Sequence, residues 1–141
     1  MSDPYVVIEL AGPPRGKGRP RFSVRGGFAR AYTPAATRHY ESSLSDAAIE
    51  AMAGRQPLDE ALTVSLRAYM PVPTSWSRKK QLAALAGDIM PTGKPDFDNL
   101  MKTVDALNQI VWRDDSLVVT VEFMKCYDAR PRLLIAVYKW F

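Results

Sequence analysis

Short β-type runs alternate with segments of helical spacing along this chain, and the pattern sets out seven elements. Tyr5-Val6-Val7-Ile8-Glu9-Leu10 is β-branched and apolar, and it stops at Gly12-Pro13-Pro14, residues that cannot continue a ladder. It reads as a first strand. Residues 15–33 carry Gly, Pro and Arg without a helical period and read as a long loop or irregular hairpin. Thr33-Pro34 predicts a helix start, with a capping hydroxyl followed by proline at the first helical position. Tyr40, Leu44, Ala47, Ala48 and Met52 then recur every three to four residues up to Gly54. The run from Leu62 to Met70 alternates with period two and predicts a half-buried strand, ended by Pro71 and Pro73. Ser75 to Ala86 reads as a short basic helix with a serine cap, closed by Gly87, and 91–95 as a turn. A helix from about Asp96 to Val111 follows, then a strand from Leu117 to Cys126, a turn at Asp128-Ala129-Arg130-Pro131 and a strand from Arg132 to Trp140. The last two strands are expected to form a hairpin. The fold predicted is α+β: one domain over 1–141, a mixed four-stranded sheet with three helices, in the order β-α-β-α-α-β-β.

Composition narrows the class. With 47% hydrophobic and 24% charged residues, the chain is neither disordered, nor collagenous, nor a disulfide framework. Its longest apolar run, around Leu133–Val137, is far short of the ~18 residues of a membrane span, so no membrane partner is expected. No basic stretch followed by an apolar one opens the sequence, and the single Cys126 allows no internal disulfide. A cytoplasmic location is expected.

The net charge of +4 is modest but unevenly distributed. No acidic residue lies between Glu9 and Glu41, a gap holding Arg15, Lys17, Arg19, Arg21, Arg25, Arg30 and Arg38, seven of the nineteen basic residues. Five of the ten aspartates lie between Asp96 and Asp115. A basic segment beside an acidic cluster suggests two tasks, holding a polyanion and holding a cation.

On a helical wheel Asp98, Lys102, Asp105 and Gln109 fall within about 60° of one another, opposite Leu100, Val104, Leu107 and Val111. Taken singly these residues have plain roles. An Asp98–Lys102 pair at i, i+4 contributes a few tenths of a kcal/mol, and Asp96 suits an N-cap. Together they suggest more. Asp96 and Asp98 at a helix start, with Asp114-Asp115 opening the next strand, offer several hard oxygen donors of the kind Mg²⁺ takes while keeping its waters. His39 and Cys126 stand apart, which argues against zinc. Gly12 to Lys17 is one residue short of a Walker A loop, and Gly16-Lys17-Gly18 lacks the third glycine of a dinucleotide fingerprint, so no nucleotide cofactor is expected. One histidine in the chain leaves no convincing Ser-His-Asp arrangement.

The run from Lys94 to Asn108 (Lys-Pro-Asp-x-Asp-Asn-Leu-x-Lys-x-x-x-Asp-Ala-Leu-Asn), then Trp112-x-Asp114-Asp115, resembles the RusA family of Holliday-junction resolvases, metal-dependent endonucleases common in phages and prophages. The likeness extends to Gly16-Lys-Gly-Arg-Pro-Arg21, to Tyr32-Thr33-Pro34, and to Lys125 and Pro131-Arg132. The resemblance implies a homodimer that binds four-way DNA junctions and makes paired, symmetric nicks in recombination and repair. It places the catalytic and metal-binding carboxylates on Asp96, Asp98 and Asp115, with Asp114 an alternative to Asp115, and the essential lysine on Lys102. Asp105 takes a supporting place. Mg²⁺ is the implied cofactor, with Mn²⁺ as a substitute, and the implied products carry a 5′-phosphate. Arg15, Lys17, Arg19, Arg21, Arg25 and Lys94 are the candidate DNA contacts, and Phe22 and Phe28 among them suit stacking on unpaired bases. Alternatives are a nuclease acting on other branched or flapped DNA and a non-catalytic DNA-binding protein on the same scaffold.

Overall fold

The computed structural model describes residues 3–18, 21–32 and 34–140, and leaves the side chains of Arg21 and Arg25 undescribed. Along the chain run β1 (Val6–Ala11), β2 (Arg21–Arg25), β3 (Phe28–Tyr32), α1 (Ala35–Met52), β4 (Leu62–Met70), α2 (Arg78–Leu85), α3 (Phe97–Lys102), two 3₁₀ turns (Thr103–Leu107 and Asp115–Leu117), β5 (Val118–Tyr127) and β6 (Arg132–Lys139). The alternating run expected as a half-buried strand is β4, residue for residue. Its odd neighbours part as the pattern requires: Leu62, Val64, Leu66, Ala68 and Met70 are buried, and Thr63, Ser65, Arg67 and Tyr69 face the other side.

Four strands make one mixed sheet in the order β1-β6-β4-β5. β6 is antiparallel to both β1 and β4, whereas β5 runs parallel to β4 along the far edge. The expected hairpin of the last two strands is therefore wrong. The four residues between them, 128–131, carry the chain past β4, and β6 takes the slot between β4 and β1. Val6, Ile8, Leu133, Ile135 and Val137 extend the buried face of β4. That face packs against Leu44, Ala48 and Met52 of α1 and against Leu100, Leu107, Val111 and Trp112 from the segment after α2.

Of the two readings of residues 15–33 the structure holds the hairpin, and three other expectations, the α1 cap, the length of the 96–111 helix and the α2 cap, need correction. Residues 21–32 hold a two-stranded hairpin, β2 with β3, turning on Gly26 (φ 60°) and Gly27 (φ 82°). Two consecutive positive φ angles are what a two-residue hairpin turn of this hand demands, and glycine supplies them without strain. Pro34 stands at the N-cap of α1, and among the described residues no side chain caps the helix; Thr33, the expected cap, lies outside them. The helix expected from Asp96 to Val111 stops being α-helical at Lys102. Thr103 is fully buried and its hydroxyl donates to the Leu100 carbonyl at 2.6 Å, and the chain tightens into the 3₁₀ turn that follows. In α2 the capping serine is Ser77, whose hydroxyl accepts the Lys80 amide, and not Ser75. Among the described residues, no helix is long and apolar enough to cross a membrane.

Candidate active site

The acidic segment is the crossover that links β4 to its parallel partner β5, so it must pass over the buried face of the sheet. Its two ends are fastened there. At the far end Trp112 is fully buried and its indole N–H donates to Asn108 Oδ1 at 2.7 Å. The backbone around it is bound on both sides of Leu58, with Leu58 N–H donating to Val111 O at 2.8 Å and Arg113 N–H to Leu58 O at 3.0 Å. At the near end Lys125, on the core-facing side of β5, donates from its ammonium to Gly93 O at 2.7 Å and to Pro95 O at 2.9 Å. Phe97 meets Phe123 edge to face, with ring centroids 5.0 Å apart.

This clamp delivers the aspartates. Asp96 is the N-cap of α3, and its Oδ1 accepts the Asn99 amide at 2.9 Å. One turn on, the Asp98 carboxylate lies 3.0 Å from the Lys102 ammonium; both side chains remain open to solvent, 71% and 53% exposed. Lys102, Asp105 and Asp115 border a single cavity of about 280 Å³ whose floor is Val64, Val104 and Trp112. Asp114 turns elsewhere. Its Oδ2 accepts the Ser116 amide at 3.1 Å, and the hydrogen bonds from Ser116 hold its carboxyl below the ordinary aspartate range. Thus Lys102 is shared: it contacts Asp98 on one side and borders the cavity with Asp105 and Asp115 on the other.

The basic residues divide into two groups. Lys17 reaches across to the acidic segment, its ammonium 3.7 Å from Asp105 and 3.5 Å from Glu41, while its backbone N–H donates to Asn99 O at 2.9 Å. Arg15, Lys17 and Lys94 line a second cavity beside Pro95 and Asn99. The β2–β3 hairpin stands out from the rest, with Phe22 and Phe28 each more than 70% exposed. Arg19 lies outside the described residues, and Arg21 and Arg25 are placed by their backbone alone, at the two ends of β2.

The sequence alone gave no role to Lys125; its sign is a lysine at a core-facing strand position, where a charge needs partners. The hairpin, one of the two readings of residues 15–33, has its sharper signal in Gly26-Gly27 between alternating residues.

The family model for the endodeoxyribonuclease RusA matches residues 11–138. The chain belongs to the RusA family. An uncharacterized protein, YqaN of Bacillus subtilis (strain 168), is 33% identical over 140 residues covering 94% of each chain. The matched span of this RusA-family chain takes in the whole clamped segment and both groups of basic residues.

For the Mg²⁺ that the resemblance implies, the donor chemistry is suitable, without a closed cage among the described residues. Among the described residues, no group of three or more His, Cys, Asp or Glu side chains is gathered as a ligand set. The convergence of three carboxylates expected from sequence is not present as such. What is present are exposed carboxylates at the start of α3 and in the 3₁₀ turn before β5, each of Asp96, Asp98 and Asp115 with at least one oxygen uncommitted to the backbone. Such a set fits Mg²⁺, which takes one or two carboxylates and completes its shell with water and substrate phosphate.

Proposed function

We propose that this RusA-family chain is a Mg²⁺-dependent endonuclease that resolves four-way DNA junctions by paired, symmetric nicks, acting as a homodimer. The observation that carries the reading is Lys102, seated between Asp98 and a cavity bordered by Asp105 and Asp115, inside a segment matched by the family. Asp96, Asp98 and Asp115 would hold the metal, which when bound supplies an acidified water and polarises a phosphate oxygen. Asp114, occupied by Ser116, is the weaker candidate for that set.

Lys102 carries the residue-level chemistry. Its ammonium orients the Asp98 carboxylate through their ion pair, and would stabilise the negative charge that grows on the non-bridging oxygens as the attacking water adds to phosphorus. Lys125 holds the turn that presents Asp96 and Asp98 through its two carbonyl contacts. Cleavage releases the 3′-oxygen and leaves a 5′-phosphate. The basic hairpin and the 14–18 loop hold the junction arms by their phosphates. Two cuts require two such centres, and each chain has one, so a two-fold dimer matches the near two-fold symmetry of the junction.

The test is a nicking assay with Mg²⁺ and with Mn²⁺ on junction, flap and plain duplex, beside sedimentation at micromolar concentration. Paired nicks in the junction by a dimer are expected. Preference for flaps overturns the junction assignment. Tight binding without cleavage makes the chain a DNA-binding protein on a nuclease scaffold.

A further inference from the structure

We propose that the cavity between the 14–18 loop, the start of α1 and the start of α3 is a preformed seat for one internal phosphodiester of the cleaved strand, next to the scissile phosphate. The inference rests on the nuclease reading and adds a fixed subsite to it. The cavity has a volume of about 380 Å³ and its wall includes Arg15, Lys17 and Lys94 but no carboxylate. Lys17 is engaged with Glu41 and Asp105. Arg15 and Lys94 make no ion pair among the described residues, so two cations face the space without an anion. An arginine fork and a lysine point charge together suit a phosphate's oxygens.

The wall is built rather than draped. Lys17 N–H donates to Asn99 O at 2.9 Å and Gly18 N–H to Thr37 Oγ1 at 3.2 Å, which fixes the loop to both helices. Gly16 sits so close to α3 that a Cβ there would lie 2.9 Å from Asn99 Cβ and 3.0 Å from Pro95 Cβ. α1 begins at the cavity with no acidic residue in its first turn, and among the described residues no side chain caps it, so its positive end adds to the two cations. The wall contains no aromatic ring on which a base could stack, so the group held is the phosphate and not the nucleobase. Asn99 in the wall and the Asp98–Lys102 pair both belong to α3, so the seat and the pair are carried by one helix.

The test has two arms. Inorganic phosphate is titrated into the whole chain at constant ionic strength, with chloride as the control, and the amide resonances of Gly16, Gly18, Ala36 and Thr37 are followed. Saturable shifts at these amides are expected, and about fivefold or greater weakening in Lys94→Gln and in Arg15→Gln, since a hydrogen bond to a charged group carries at least that much. Absence of saturation, or equal affinity in the variants, overturns the seat. In the second arm, neutral methylphosphonates replace single phosphates of the cleaved junction strand. One position beside the cut is expected to cost the wild type about tenfold in kcat/KM and Lys94→Gln less than about twofold. Identical profiles for the two proteins overturn the proposal, as does a Lys94 effect confined to a 5′-terminal phosphate. Junction cleavage without phosphate-dependent shifts overturns the seat alone. Shifts without any cleavage overturn the nuclease reading alone.

Discussion

Residues 14–18 and the β2–β3 hairpin belong to one basic stretch of sequence, yet they are held in opposite ways. The first part is bound through Lys17 N–H to α3, through Gly18 N–H to α1, and through the Lys17 ammonium to Asp105 and Glu41. The hairpin is bound chiefly to itself, and every residue of β3 is exposed. A count of arginines cannot tell these apart; the backbone contacts can. The loop shares its rigidity with the clamped segment 94–117 and so can fix a position, whereas the hairpin can follow a substrate of variable shape. If so, changes in the clamped region should act on rate, and changes in the hairpin on affinity.

The largest effect is expected from Asp98→Asn. It removes a charge beside Lys102 on an exposed face, so cleavage should fall by on the order of 10²–10³-fold while junction binding and melting temperature hold. Full Mg²⁺-dependent activity in this variant would break the division of labour. Lys125→Met should lower kcat by about 10–100-fold, as loss of an orienting partner does, with KM for the junction within about twofold. A raised KM with unchanged kcat would move Lys125 to the binding side. Gly16→Ala forces its new carbon against Asn99 and Pro95, and should cost about 1–3 kcal/mol in denaturant unfolding, together with some loss of rate. Neutralising Arg21 and Arg30 of the hairpin should leave single-turnover rate at saturation intact and reduce the salt slope of binding by about 1.8, two phosphate contacts' worth. A slope that does not change removes the hairpin from the DNA.

The smallest effect is a control outside both regions. The Arg130 amide, then the Arg132 guanidinium at 2.7 Å, hold the Asp128 carboxyl below its ordinary range. A depressed folded pKa contributes stability that is present above the unfolded value and lost as pH falls through the folded one. Asp128→Asn should therefore melt slightly lower at pH 7, converge with the wild type below about pH 4, and cleave normally throughout.

Local pattern made some of this legible and not the rest. β4 and the α1 stop at Ala53–Gly54 follow from alternation and from a left-handed C-cap, both properties of adjacent residues. The Asp98–Lys102 pair needed only one helical turn, and that turn is present. The spacing of Leu100, Val104, Leu107 and Val111 fits a continued helix, but the same residues are also reached through a 3₁₀ turn and a bend, and only the buried Thr103 and the docking of Trp112 select the latter. The slot taken by β6 depends on the parallel pairing of β4 with β5, which joins residues more than fifty apart and leaves no mark on the four-residue turn before β6. Lys125 belongs to the same class: its partners lie thirty residues upstream, beyond the reach of any window.

The position of β5 at the margin of the sheet carries a kinetic consequence. It has β4 on one side and, among the described residues, no strand on the other, with Val119 and Val121 open to solvent. Yet Asp115 leads into it, Phe123 supports α3, and Lys125 ties down the aspartate turn. An outer strand, as β1 is at the opposite margin, opens in local unfolding ahead of the central β6-β4 pair. The machinery therefore hangs on a marginal strand of the sheet and not on its centre, and competence for cleavage is a more sensitive gauge of native order than the melting of the core.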